Sequence, residues 1–184
     1  MMNKLFRVIT LALFIIFSIA CNVNSPSLDF REHPLEVAIV FQQETFQSFE
    51  DVSATVSINN AGKEDLLVNK QLLCIAKEFP PEVSVCKLLI TDSSGNPIWL
   101  SGKIDFAFPR DEFFVVLPPG QTIEKRISLQ SVGFRSHDFQ EDEIYTVMVI
   151  YQNLRDVTQM VNDKKVRAWK GEVQSNTDTF TILP

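Results

Sequence analysis

Val52-Ser53-Ala54-Thr55-Val56-Ser57-Ile58-Asn59 alternates apolar and polar residues through four repeats. Successive side chains of a strand point to opposite faces, so the spacing puts Val52, Ala54, Val56 and Ile58 on one side and their polar partners on the other. That is a half-buried strand. Asn60-Ala61-Gly62-Lys63 reads as the turn that ends it, and Leu35–Phe41 as the strand before it. Further on, extended stretches are expected at 65–75, 83–91, 98–100, 104–108, 113–117 and 122–129. They are separated by Phe79-Pro80-Pro81-Glu82, Asp92-Ser93-Ser94-Gly95-Asn96-Pro97 and Pro118-Pro119-Gly120. Residues 130–143 form the longest loop. Residues 144–151 are apolar on both faces except Thr146, which predicts a central strand covered on both sides. Alternation returns at Thr179-Phe180-Thr181-Ile182. No stretch keeps helical spacing, so the expectation is all-β: a single antiparallel β-sandwich of eight or nine short strands.

Ahead of this region, Lys4 and Arg7 precede a run from Val8 to Ala20 broken only by Thr10 and Ser18. The run is shorter than the ~20 residues a membrane-spanning helix needs, and polar residues follow Cys21. The pattern is that of a cleaved secretory signal, residues 1–20. Small residues at Ser18 and Ala20 suit ordinary cleavage after Ala20. The same residues with the next one, Ser18-Ile19-Ala20-Cys21, resemble the lipobox of bacterial lipoproteins, Ser18 standing where leucine is usual. That resemblance implies a diacylglycerol on the Cys21 sulfur and acylation of the freed amine. Several acyl chains hold a protein stably on a membrane where one does not. Residues 21–34, with Pro26 and Pro34, then read as a lipidated cysteine and tether, and 35–184 as the domain.

Cys21, Cys74 and Cys86 are the three cysteines. An odd count leaves a free thiol in an oxidising compartment, and lipidating Cys21 removes the odd one. Cys74 and Cys86 lie six residues either side of Pro80. A chain folding back there sets them opposite each other for a disulfide; the alternative is two buried thiols facing different ways. They make a poor metal site, because no second pair or nearby histidine completes four ligands.

The chain carries a net charge of −6. Cleavage before Cys21 removes Lys4, Arg7 and no acid, taking it to −8. Such a molecule is a poor partner for nucleic acid.

The order of features also resembles an immunoglobulin-like domain. Residues 52–59 with Asn60-Ala61-Gly62 look like its second strand and exit turn. Pro119-Gly120-Gln121 with the strand after it, then Glu143-Ile144-Tyr145 before Val147 and Val149, look like its later half. Tyr145 stands where a tyrosine corner would hydrogen-bond locally. Trp169-Lys170-Gly171, Ser175-Asn176 and Phe180-Thr181-Ile182 are similar to the last strands of envelope-lipoprotein domains. The resemblance implies architecture, and architecture does not imply function.

Candidate sites are few. His137 sits in a carboxylate-rich run to Glu143, which reads as a divalent-cation loop or a solvated acidic loop; calcium-loop spacing is missing there and at 92–96. No nucleophile elbow, His-Glu-x-x-His or glycine-rich phosphate loop occurs, so no catalytic, cofactor-binding or metal residue is assigned. Lys164-Lys165-Val166-Arg167-Ala168-Trp169-Lys170 is the one basic cluster. It suits anionic headgroups or an acidic glycan, or else an edge strand with lysines blocking sheet pairing and Trp169 packed inward. The expected function is a membrane-anchored, non-enzymatic module of the cell envelope binding an envelope protein or glycan. The other reading is a protease inhibitor presenting the 130–143 loop or Phe79-Pro80-Pro81-Glu82.

Overall fold

In the computed structural model, which describes residues 34–72, 74–75, 85–100 and 110–184, the alternating stretch is the strand β3 (Ser53–Asn60). It pairs antiparallel with β1 (Leu35–Phe41) on one side and with β8 (Thr122–Ser128) on the other. Ala54, Val56 and Ile58 are buried on one face, and Leu35, Val37, Ile39 and Phe41 beside them. The signal run, Cys21, most of the tether, the Pro80-Pro81 turn and the strand expected at 104–108 lie outside the described residues.

Five strands make the facing sheet: β2 (Thr45–Phe46), β12 (Gly171–Ile182), β9 (Ile144–Asn153), β6 (Val85–Thr91) and β5 (Cys74–Ile75), in that order. β9 is central, as its apolar run predicts. Tyr145, Val147, Val149 and Tyr151 fill the core between the two sheets with Leu88, Ile90 and Phe180. The second face of β9 corrects the expectation of double cover. Only Ile150 is buried there, Met148 is half-buried, and Ile144 stands 55% exposed. The fold is all-β, but not wholly antiparallel. β2 runs parallel to β12, and β5 parallel to β6.

Two further ladders lie apart from these sheets. β4 (Leu66–Asn69) pairs with β7 (Phe114–Leu117), and β10 (Thr158–Val161) with β11 (Lys164–Arg167). The stretch 65–75, expected as one extended piece, is thus two strands in different sheets, broken where Leu72 takes φ +41°. Residues 98–100 form no strand; Pro97 makes only an isolated bridge to Thr91.

The edge of β1 is closed against β12 by side chains rather than by a ladder. Register slips between Gln174 and Thr177, where β12 carries one more residue than β9 opposite it. This is a bulge, which frees backbone and re-aims side chains. Ser175 Oγ accepts the Val149 N–H at 2.9 Å, standing in for a ladder carbonyl. Asn176 turns to β1: its Oδ1 accepts the Ile39 N–H at 3.0 Å and its Nδ2 donates to the Ile39 carbonyl at 2.9 Å. Asp178 Oδ2 accepts the Phe41 N–H at 2.7 Å. Three backbone groups of a would-be open edge are satisfied in this way.

Four of the chain's 15 phenylalanines gather beside this seam. Phe41, Phe46, Phe139, Tyr145 and Phe180 form a run of ring contacts with centroids 4.9–6.3 Å apart. Phe134 and Phe139 come from the 130–143 loop, which is therefore folded onto the core. Tyr145 fixes it there by accepting the Gln140 N–H on its hydroxyl at 2.6 Å. Burial pushes the Tyr145 pKa up, with smaller contributions in the same direction from the nearby carboxylates Glu143 and Asp92; the Gln140 bond opposes them.

Two outcomes follow from this packing. Asn176→Ala strands the Ile39 amide and carbonyl and is expected to lower unfolding stability by about 1–3 kcal/mol, against under about 0.5 for exposed Gln174→Ala. Denaturant titration measures this as a shifted midpoint at unchanged slope. The raised Tyr145 pKa means that the folded state holds its proton longer than the unfolded one. The stability tied to this group is full below about pH 10 and is lost as pH rises through the folded value. Tyr145→Phe should flatten that alkaline loss in pH-dependent melting curves.

Candidate functional site

The two outlying ladders meet over a second apolar core made of Leu67, Phe114, Val157, Val166 and Ala168. The β10–β11 hairpin exists because Asn162 and Asp163 both accept positive φ, +48° and +61°, as a two-residue type I′ turn requires. Alternation along β11 then works as expected, with Val166 and Ala168 inward and Lys165 and Arg167 exposed. Past β11 the chain joins β4 in parallel through a bridge between Leu67 and Ala168, and the Trp169 N–H donates to the Leu67 carbonyl at 3.1 Å.

Two residues at the end of β9, Tyr151 and Asn153, hold this assembly on the main sandwich. The Tyr151 hydroxyl accepts the Asn69 N–H at 2.9 Å, and its ring packs against Trp169 with centroids 5.8 Å apart. Asn153, fully buried, donates Nδ2 to the Trp169 carbonyl. Gly171 takes φ +147°, and a Cβ there would come within 3.0 Å of the Trp169 ring. Trp169 is packed inward, as the edge-strand reading requires.

Between residues 63–66 and 164–169 a cleft of 640 Å³ remains. Leu66, Val166, Ala168 and Trp169 form its apolar part, and Lys63, Lys164, Lys165, Arg167, Glu64 and Asp65 its charged part. All six charged residues are exposed, and among the described residues none of the four cations forms an ion pair. Asn60 holds the 60–65 turn in place. Its buried Nδ2 donates to the carbonyls of Leu117 at 2.7 Å and Glu64 at 2.8 Å, and its Oδ1 accepts the Gly62 N–H at 3.0 Å. The Gly62 N–H also reaches the Pro34 carbonyl at 3.2 Å, and a Cβ at Gly62 would come within 2.7 Å of the Pro34 ring. The first described residue thus lies against the rim of the cleft.

Lys164–Arg167 was legible as a basic strand; Lys63 was not, because nothing local marks it as a neighbour of residues a long way down the chain. Asn162-Asp163 is the signal that announces the hairpin, an Asn-Asp pair between two alternating runs.

The other candidates are placed as follows. His137 is 68% exposed with Nε2 at 3.6 Å from Asp138, while Asp138 itself accepts the Arg135 N–H at 2.8 Å. Glu143 reaches away to the Ser93 N–H at 2.9 Å. Asp92 accepts the amides of Ser94 at 2.9 Å and Asn96 at 2.7 Å and the Asn96 Nδ2 at 2.9 Å. Those bonds, the Asn96 side chain first, lower its pKa. Among the described residues no three His, Cys, Asp or Glu side chains are grouped as metal ligands, and no helix is long and apolar enough to cross a membrane.

Cys86 is buried and disulfide-bonded. The strand register puts Cys74 directly beside it, but in a parallel pair. This corrects the hairpin expected about Pro80. A parallel pair needs the chain between the strands to return to its starting end instead of reversing once. The symmetric spacing about the prolines was therefore not what brings these positions together.

Asn60→Ala should loosen the cleft from one side. It leaves the Leu117 carbonyl and the Gly62 amide without their side-chain partner, and a loss of about 1–3 kcal/mol in denaturant titration is the expected outcome.

No protein-family model matches the chain, and no curated protein sequence does.

Proposed function

We propose that the chain is an exported, lipid-anchored binding module without enzymatic activity, attached through Cys21 to a bacterial cell membrane, with residues 35–184 outside the cytoplasm. One observation carries the binding reading: residues 63–66 and 164–169, remote in sequence, converge on a cleft whose four cations, with Glu64 and Asp65 beside them, form no ion pair among the described residues. The attachment rests on the basic start, the apolar run and Ser18-Ile19-Ala20-Cys21.

An immunoglobulin-like architecture belongs to the same proposal. Strands A, B and E side by side, facing C, F and G, define that arrangement. β1-β3-β8 and β6-β9-β12 have the same chain order and the same neighbours. Tyr145 opens β9 and bonds back five residues, as a tyrosine corner does. β4 then lies in the B–C connection and β10–β11 in the F–G connection, and in antibody variable domains these loops cluster at the ligand-binding end. The departures are that, among the described residues, β8 has a partner on one side only, and the extra ladders themselves. The 130–143 loop, pinned by Phe134, Phe139 and Tyr145, offers little to a protease.

We further propose Cys74 as the partner of Cys86. Neighbours on adjacent strands lie about 4.8 Å apart, within the Cα separation that a disulfide spans.

Cys21→Ser tests the anchor: the variant should lose its lipid mass and leave the membrane fraction or remain unprocessed. Membrane partition and processing unchanged from the wild type would refute it. Pull-down of the lipidated protein from its own membranes tests binding, and Lys165→Glu with Arg167→Glu should abolish any capture made through the cleft. For the bridge, closing a loop of about a dozen residues contributes roughly 2–3 kcal/mol. Cys74→Ser should lower the melting temperature by about 5–10 °C, and non-reducing peptide mapping should recover the 74–86 cross-linked pair.

A further inference from the structure

Pro34 packs on Gly62, and Gly62 precedes Lys63. The point where the chain enters the first sheet and the rim of the basic cleft are therefore the same place on the molecule. We propose that the cleft is a membrane-docking surface: Lys63, Lys164, Lys165 and Arg167 face the anionic headgroups of the bilayer that holds Cys21. This rests on the lipid-anchor reading above and names the partner of that same cleft.

Position is the first argument. From Cys21 to Pro34 the chain can span no more than about 45 Å even when drawn straight. The tether limits how far the domain can stand off, and the end that carries Pro34 and the four cations is the first within reach of the headgroups. Charge is the second. The whole chain is acidic, at −6, and an anionic leaflet repels it on average. Within the cleft the sign is reversed, with four cations against Glu64 and Asp65. A surplus of two positive charges near an anionic surface raises the docked population by roughly an order of magnitude, and tethering makes the encounter intramolecular.

The hairpin face supplies the third argument. Met160 lies opposite Lys165 in the ladder, and Thr158 opposite Arg167, so these four share one face. Met160 is 68% exposed, the most exposed large apolar side chain among the described residues. An apolar side chain beside Lys165 and Arg167 on one face of the hairpin suits the boundary between headgroups and acyl chains. An acidic glycan in the medium would meet the same cations, but it gives no reason for their place beside the tether or for exposed Met160.

The test uses the full lipidated protein, reconstituted into vesicles of phosphatidylcholine alone or with phosphatidylglycerol. Flotation in both reports the anchor. Docking is read separately, as the rate at which a water-soluble amine-acetylating reagent modifies each lysine. Lys63, Lys164 and Lys165 are expected to react at least about threefold more slowly on the anionic vesicles at low salt, with Lys87 on β6 unchanged. High salt should remove the difference, since a headgroup contact is screened. In Lys165→Glu with Arg167→Glu, Lys63 should lose its protection while the melting temperature stays the same. Protein that floats on both vesicles with equal lysine reactivity would overturn docking and leave the anchor standing. Failure to float on phosphatidylcholine would overturn the anchor and this inference with it. Protection by a soluble sulfated polysaccharide but not by anionic vesicles would assign the cleft to a glycan and overturn the inference.

Discussion

Asn176 and Asp178 satisfy the outer edge of β1, and much of the main sandwich depends on that contact. β1 supplies Leu35, Val37, Ile39 and Phe41 to the core, a quarter-turn of wall that would otherwise end in open backbone. An unmet amide in that position is an invitation to another strand or a cost of desolvation. A continuous ladder from β1 to β12 would merge the two sheets into one along this side. The bulge at 174–177 avoids both outcomes, because Asn176 can bond the Ile39 backbone group by group without bringing β12 into register with it. Once past the seam, the chain of β1 crosses to the other sheet as β2 and pairs with β12 directly. The same strand is thus met first by side chains and then by backbone.

Periodicity made most of the sandwich legible. Leu35–Phe41 and residues 52–59 read as strands because one face was apolar and the other polar, and that pattern is what burial on one side demands. The central place of β9 was readable from its apolar run, although the double cover that the run predicts is not there. What failed were the elements whose partners are distant. β4 and β5 fall within one extended-looking stretch, and only the positive φ at Leu72 separates them; leucine gives no local warning of it. The two parallel pairs, β2 with β12 and β5 with β6, cannot take their register from a two-residue hairpin, so sequence spacing could not foresee them. In the cleft, the Lys164–Arg167 rim was visible as a run of charge. Its other rim depends on Asn60 and Tyr151 reaching across the fold, and single-chain reading has no access to such contacts.

The second core changes what the basic cluster means. A lysine-rich edge strand on an otherwise ordinary sheet is explained by the need to prevent edge pairing, and nothing more is required. Here β11 is already paired on one side by β10, and its continuation is bridged to β4 on the other through Leu67 and Ala168. The bridge takes up only Ala168, and the charges of Lys164–Arg167 do more than line an open edge. They are arranged around a cleft, and the apolar core behind that cleft is fastened to β9 through Tyr151, Asn153 and Trp169. Rigid support of that kind suits a surface that must keep its charges in a fixed pattern, because each mobile cation gives up conformational freedom when it meets a ligand.

Orientation decides which surface of a tethered domain can meet a partner. A lipid fixes one point of a protein and leaves its rotation free, so a second contact is needed to decide which surface faces outward. Because Pro34 leans on Gly62, the region nearest the attachment is set by the fold itself. If that region holds the headgroups, the surface turned to the surroundings is the opposite end, with the 92–97 turn and the 136–143 segment around Glu143. That end is rich in carboxylates and fixed by short hydrogen bonds through Asp92 and Asp138. An acidic outer end and a basic inner one give the domain a polarity that an anionic membrane would align, and both follow from where the chain begins its first strand.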